Sequence, residues 1–448
     1  MNAIKNSFRQ IRRYPSAIIG TVIILLLVIE AVYAVIAIPY NEAITLWRGG
    51  ETVWYANPKY APPAWINFFR KDKLPVSFHV SSADGGMNKV VTPHGEGIQS
   101  VDISYEFNYQ ADAFPQEMSL YFTNVYAAKI PFASITFITP DGREFRIADT
   151  AVEHQQTLLF SQLEKLANKY GGQRYVMEAL FSDPNNPTPT PLKGNYQIVI
   201  NGTTFESGSD INAVFVLYGQ VYGLAGTDMY RRDLVIPLLW GAPVALIFGL
   251  VASLGTSILT MAISAIGSWY KGWVDELIQR ITEINLVLPF LPIIIMIGTF
   301  FSRSIWVILG AVVMLSIFTG QIKAYRAIFL QVRESAYIEA ARAYGASDVR
   351  IIGRYLVPRM IPLLIPGLVS SVPAFIFFEA TLAVLGLGDP TLPTWGKIIY
   401  DADTNGALYK GLYYWVLEPA VLLMIAGFGF ALLGFSLDRV FNPRLRGM

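Results

Sequence analysis

Apolar residues follow two different rhythms along this chain. Residues 17–38, AIIGTVIILLLVIEAVYAVIAI, form an apolar run broken only by Glu30. At 1.5 Å per helical residue, such a run crosses a hydrocarbon core of about 30 Å. Long apolar runs return from 234 onward, at about 236–267, 284–301, 304–322, 360–388 and 413–436, with short linkers between them. From about 40 to 230 the pattern changes to short stretches in which apolar and polar residues alternate, as in half-buried strands. VDISYEFNY (101–109), MSLYFTNVYA (118–127) and INAVFVLYG (211–219) read as strands. ITFITPDGREFRI (135–147) reads as a hairpin around Pro140-Asp141-Gly142, and YQIVINGTTF (196–205) as another around Asn201-Gly202. Residues 150–181 read as amphipathic helix and 182–191 as a loop. The expected architecture is an all-α polytopic membrane protein of six transmembrane helices with an inserted β-rich domain. Residues 1–40 carry a tail and the first span, 41–222 the insertion, and 223–448 a five-helix core.

Composition strengthens the membrane reading. Hydrophobic residues make up 53% of the 448 and charged residues only 15%, against about 25% charged in an average soluble domain. There is no cysteine, which excludes disulfides, thiolate catalysis, iron–sulfur clusters and cysteine-bound zinc. A net charge of +1 gives no sign of a nucleic-acid partner. The placement of charge sets the expected topology. Lys5, Arg9, Arg12 and Arg13 precede the first run. That run is too long for a signal peptide and lacks a small-x-small cleavage site, so it reads as an uncleaved helix with a cytoplasmic N-terminus. Linkers expected inside carry Lys271, Arg280, Lys323, Arg326, Arg333, Arg342, Arg350, Arg354 and Arg359, whereas the turn at 301–304 has only Arg303. The expectation is a multi-pass protein of the plasma membrane with both termini cytoplasmic and 41–222 outside.

The longest inside linker, about 323–359, is the most informative. SAYIEAARAYGASDVRIIGRYLVP reads as helix, glycine turn, helix. Ser335 is placed to cap the first helix and Ser347 or Asp348 the second, and Gly345 suits a left-handed position after the first. Ala336, Ala340, Ala341 and Ala343 let another surface approach closely, and Glu339, Arg342 and Arg350 offer charges to it. The spacing Glu339-Ala340-Ala341, three residues, Gly345, nine residues, Tyr355-Leu356-Val357-Pro358 resembles the EAA motif of permease subunits of bacterial and archaeal ABC importers. Tyr355 and Val357 replace that motif's isoleucine and leucine. Further segments resemble the second permease of the dipeptide/oligopeptide/nickel branch. They are Gly226-Thr227-Asp228 with Arg232-Asp233 (Arg231 replacing a glycine), Gly272-Trp273-Val274-Asp275 with Arg280, Glu283 and Pro289, Phe378-Glu379-Ala380 through Gly388, Thr394-Trp395-Gly396, and Asn442-Pro443-Arg444-Leu445-Arg446. The resemblance covers roughly 222–446 and leaves 41–221 unaccounted for.

The resemblance implies an ABC importer permease fold. It implies that the 335–358 loop seats in a groove of an ATPase through Glu339, Ala340, Ala341, Arg342, Gly345 and Pro358. The implied partners are a homologous permease, two ATP-binding cassette subunits and an extracytoplasmic solute-binding protein, besides membrane lipid. ATP and Mg would be held by those partners, with no cofactor in this subunit. The implied solute is a peptide, nickel or an oligosaccharide.

Other chemistry has little support. There is no G-x-x-x-x-G-K-[ST] phosphate loop or G-x-S-x-G elbow. Gly171-Gly172-Gln173 reads as a turn, and His79, His94 and His154 lack metal-ligand spacing. The chain is expected to be no enzyme, with no catalytic or metal site. Intramembrane acids tend to face cavities or partners. Glu379, Glu418 and Trp395 are candidates for lining a pathway or pairing helices, and Glu30 for contacting a partner permease. The alternatives are a secondary transporter or channel subunit, and a membrane-anchored extracytoplasmic sensor.

Overall fold

The computed structural model describes residues 14–95, 97–170, 172 and 175–441. Lys5 through Arg13, Gly171, Gln173 and the terminal Asn442–Arg446 segment lie outside the described residues. The chain divides into two compact units, Gly49–Val235 and Met1–Arg48 with Ile236–Met448. These junctions differ from the expected 40/41 and 222/223. Tyr40–Arg48 is a helix with Ala43 and Trp47 buried, and Ala43 joins the core of the membrane unit. Residues 223–234 instead fold back within the other unit: the Leu234 N–H donates to the Gly226 carbonyl at 3.1 Å, and Thr227 pairs antiparallel with Asp233.

The Gly49–Val235 unit holds two antiparallel sheets. One is ordered β1-β9-β4-β7 and the other β2-β3-β8-β5-β6. The strands are β1 (Phe78–Ser81), β2 (Asn88–Gly95), β3 (Ile98–Tyr109), β4 (Glu117–Val125), β5 (Phe132–Ile138), β6 (Glu144–Ala151), β7 (Gln155–Leu159), β8 (Gly194–Thr204) and β9 (Asp210–Tyr218). Alternate residues from both sheets meet in one core: Val101, Ile103 and Phe107 from β3, Leu120 and Phe122 from β4, Tyr196, Ile198 and Ile200 from β8, Ala213 and Phe215 from β9. This is the two-layer solution for sheets with one apolar face each.

Two expectations are corrected here. Asn201-Gly202 is no turn; it lies inside β8, where Gly202 sits between Val101 and Ala133 in register. A Cβ there would come within 2.5 Å of Ile211 Cδ1, so this glycine makes room for sheet packing. Residues 150–181 are not one amphipathic helix: β6 ends there, β7 follows, and among the described residues only Glu164–Lys169 and Val176–Phe181 are α-helical.

A tight turn closes the unit and leads into the membrane helices. Gly226 has φ +73 and Arg231 φ +65. Arg231 therefore holds a left-handed conformation where the resembled pattern has glycine. It is retained by contacts: its Nη1 donates to the Asn57 carbonyl at 2.5 Å, and its guanidinium lies 4.7 Å from the Tyr218 ring centroid. Asp228 is fully buried and paired with Arg232 at 2.5 Å. Burial pushes its carboxyl up despite that cation.

The membrane unit contains long apolar helices at Pro15–Ala37, Tyr414–Phe441 and Asp348–Leu387, and the 36-residue helix Val235–Tyr270 continues into it. Two further runs are broken. Gly272–Val287 and Phe290–Phe300 meet at 82°, and Ile305–Ile317 and Gly320–Arg333 at 49°. The runs 284–301 and 304–322 are thus not straight spans. Pro289 disfavours helical backbone at Leu288 and accounts for the first break. The second break frees carbonyls that must be paired in a membrane interior. Thr260 Oγ1 donates to the Ile317 carbonyl at 3.0 Å, and Asn285 Nδ2 to those of Leu315 at 2.9 Å and Phe318 at 2.8 Å. The first helix packs on the last through Gly20, where a Cβ would lie 2.7 Å from the Gly429 carbonyl oxygen.

Candidate functional site

The 335–358 stretch forms a hairpin of helices. Ala336–Ala343 ends in a Schellman turn: the Gly345 N–H donates to the Arg342 carbonyl at 2.9 Å and the Ala346 N–H to that of Ala341 at 3.0 Å, with Gly345 at φ +77. Ser335 and Ser347 hold the N-cap positions, but neither side chain makes a capping bond; the Ser335 hydroxyl donates back to the Val332 carbonyl. Asp348–Ile351 runs on through a π-turn, Ile352–Leu356, into Val357–Leu382. Pro358 has no N–H and would crowd the preceding turn of an α-helix. The wider turn just before it absorbs that mismatch.

One face of the hairpin is tied down. Ile338, Ala341, Ile351, Leu356 and Met360 are buried in one cluster with Phe329 and Trp269. Ala341 therefore points into this chain's own core and is not available to a partner. Arg342 is exposed but stacks 4.4 Å from the Trp269 ring centroid, so part of its role is internal. The other face is free in this chain: Glu339, Ala340, Ala343, Tyr344, Val349 and Arg350 are exposed. Tyr344 is 92% exposed, an apolar residue at the tip that the sequence reasoning passed over. Beneath the hairpin, Asp275 takes a bidentate pair from Arg326, with Nε at 2.7 Å and Nη2 at 2.5 Å. This clamps Gly272–Val287 to Gly320–Arg333, the helix that leads into the hairpin.

The acidic candidates are spread over separate helices. Glu379 is buried at 6% exposure. Thr394 caps the helix Trp395–Thr404, accepting from the Lys397 N–H at 3.2 Å. Trp395 is fully buried, its Nε1 donating to the Leu238 carbonyl at 2.7 Å. A Cβ on Gly241 would stand 2.1 Å from its Cδ1, and one on Gly396 would stand 2.7 Å from Ala380 Cα. Trp395 and Gly396 therefore lock three helices together. Trp395 is packed between helices of this chain. Glu30 and Glu418 are half-buried on the first and last helices. Asp389 holds the start of Ile305–Ile317, its Oδ2 accepting from the Ile305 N–H at 3.2 Å.

A stripe of hydroxyls was also missed. Ser253, Thr256, Ser257, Thr260, Ser264 and Ser268 are all buried on Val235–Tyr270. Their spacings of three and four put them on one helix face. Ser253 Oγ meets the Leu368 carbonyl and Ser371 Oγ at 2.7 Å each, and Ser264 Oγ the Ile322 carbonyl at 3.3 Å. This helix therefore serves as the polar spine on which the broken and kinked segments are fastened.

Residues 257–447 match the family described as "Binding-protein-dependent transport system inner membrane component". A putative peptide transport system permease protein of Brucella suis is 33% identical over 229 residues, covering 50% of this chain and 74% of that protein. The oligopeptide transport system permease protein OppC of Escherichia coli is 30% identical over 222 residues, 49% of this chain and 72% of its own. The dipeptide transport system permease protein DppC of Bacillus subtilis is 27% identical over 222 residues, 49% and 68%.

Proposed function

This chain belongs to the family of binding-protein-dependent transport system inner membrane components and is a permease subunit of an ABC importer, and from that premise we propose how it works. Each bent helix pair crosses the bilayer once, giving six spans with both termini in the cytoplasm. The 336–351 hairpin then lies inside and the Gly49–Val235 unit outside. The subunit pairs with a homologous permease to enclose the path. Two ATP-binding cassette subunits hold ATP and Mg, and their closure pushes on the hairpin.

The observation that carries this reading is the division of the hairpin into a buried face and a free one. Ile338 and Ala341 anchor it inward, while Glu339, Ala340, Ala343 and Tyr344 are presented outward beside the Gly345 turn. Small residues admit a groove wall close to the helix backbone, Tyr344 offers an apolar tip, and Glu339 and Arg350 offer charge. Asp275–Arg326 would carry a push on the hairpin to the neighbouring bent pair.

The proposed solute is a peptide, the class named in the relatives above. The Gly49–Val235 unit is proposed to receive the loaded solute-binding protein. It has its own core, and both its ends continue into membrane helices. Uptake by proteoliposomes holding this subunit, its partner permease and the ATPases tests the scheme. Peptide should enter only with ATP and binding protein, and collapse of ion gradients should not slow it. Gradient-driven uptake without ATPases would favour a secondary transporter instead.

A further inference from the structure

The turn Ala64–Phe69 in the Gly49–Val235 unit leaves two adjacent phenylalanines in the open. Phe68 is 85% exposed and Phe69 84%. Leu224 is 74% exposed, and Trp65, at 42%, bridges to it, its Nε1 donating to the Leu224 carbonyl at 2.9 Å. By contrast, Trp47 is buried and Trp54 half-buried. Immediately after Phe69 come Arg70, Lys71 and Lys73, all exposed, with Asp72 as the only acid among them. Lys73 is held inward, its Nζ donating to the Asn67 and Arg70 carbonyls at 2.7 and 2.9 Å. Arg70 and Lys71 keep outward charge beside the phenylalanines.

Within this unit the chain links the patch to Val235, the residue that opens the long apolar helix. The Ala64 N–H donates to the Gly223 carbonyl at 2.9 Å, and Leu234 is bonded to Gly226. Leu224 is two residues from Gly226, at most about 7 Å of chain, and Val235 opens the long apolar helix. We infer that Trp65, Phe68, Phe69 and Leu224, with Arg70 and Lys71, form an interfacial anchor that seats this unit on an anionic bilayer surface. Exposed aromatics next to cations suit the boundary between acyl chains and headgroups. Contiguous apolar exposure of this kind is uncommon on a face meant for water. The excess of cations fits anionic headgroups and would work against a basic protein partner.

The absence of native cysteine makes the test direct. A spin label on Phe69→Cys in the full chain, in nanodiscs of mixed anionic and zwitterionic lipid, reports collisions with oxygen and with a water-soluble nickel chelate. Ser207→Cys is the aqueous control. It is exposed and lies just beyond the Thr204 end of β8, whose other end, Gly194, is beside the Lys193–Asp112 pair that adjoins Lys73. The expected result is a several-fold higher oxygen-to-nickel ratio at 69 than at 207. That ratio should fall in purely zwitterionic discs and in R70E/K71E. Both substituted side chains are exposed, so folding is not at stake. A label at 69 that behaves like the one at 207 would overturn the anchor. So would one shielded from both reagents, which would mean protein covers the patch. A ratio insensitive to lipid charge and to R70E/K71E would overturn the anionic assignment.

Discussion

Gly345→Val isolates the backbone contribution of the hairpin turn. A Cβ built on Gly345 meets nothing within 4 Å, so the substitution causes no clash. Its whole cost comes from φ +77. An L-residue there costs about 1–2 kcal/mol, and a β-branched residue sits at the upper end or beyond. If the turn opens, the bonds from Gly345 and Ala346 to Arg342 and Ala341 are also lost, each worth about 0.5–1.5 kcal/mol. A shift of about 2 kcal/mol lowers the correctly aimed fraction by up to about 30-fold. Expected uptake and ATPase stimulation therefore fall in the order parent, Gly345→Asn, Gly345→Ala, Gly345→Val, since asparagine tolerates the left-handed region. Membrane insertion and partner-permease assembly should not change. Gly353→Ala is the control, because Gly353 has equally open space and no positive φ. Equal uptake by parent and Gly345→Val would refute the reasoning, as would an equal defect in Gly353→Ala.

Further expectations concern topology and packing. Cysteines at Ser207 and Tyr344, both exposed, should separate the two sides of the membrane, with an impermeant thiol reagent labelling only Ser207→Cys in intact cells; Ser209 is buried and unsuited as a probe. Gly241→Val should expel the Trp395 ring, a loss comparable to truncating a buried tryptophan, about 3–5 kcal/mol. It should sharply reduce recovery of folded protein, while Gly310→Val, in open space, should not. Asn285→Leu leaves the Leu315 and Phe318 carbonyls without this donor and should cost about 1–3 kcal/mol, read as a lower unfolding midpoint in detergent; an unchanged midpoint would mean the second break is held by other means. Replacing 60–215 with a Gly/Ser linker should leave insertion intact and raise the apparent KM for uptake. An unaltered KM would count against the platform proposal.

The strands, the hairpin at 135–147 and the long apolar helices were legible because periodicity reports burial on one face at a time. The 196–205 hairpin failed because Asn-Gly is ambiguous. Gly202 is used for space beneath Ile211, a contact nine residues away that no local pattern contains. The breaks near 288 and 318 were hidden because hydropathy is blind to backbone direction. Pro289 marked one of them, and only Asn285 and Thr260, in another segment and another helix, explain the other. The motif spacing located the hairpin, but could not say that Ala341 faces inward, because that depends on Trp269 and Phe329. Arg231 departs from the resembled pattern, which has glycine at this position. Its φ of +65 gives the reason a glycine fits there.

The most direct measurement of the coupling claim is site-specific cross-linking to the ATPase in the assembled importer. A short photo-reactive maleimide would be placed on Ala340→Cys and Tyr344→Cys, both on the exposed face, with Ser207→Cys as the control. Illumination is expected to join the ATPase subunit to positions 340 and 344 and not to 207. Gly345→Val should weaken both adducts together with uptake. Absence of an ATPase adduct at 340 and 344 in a complex that still imports solute with ATP would contradict the account.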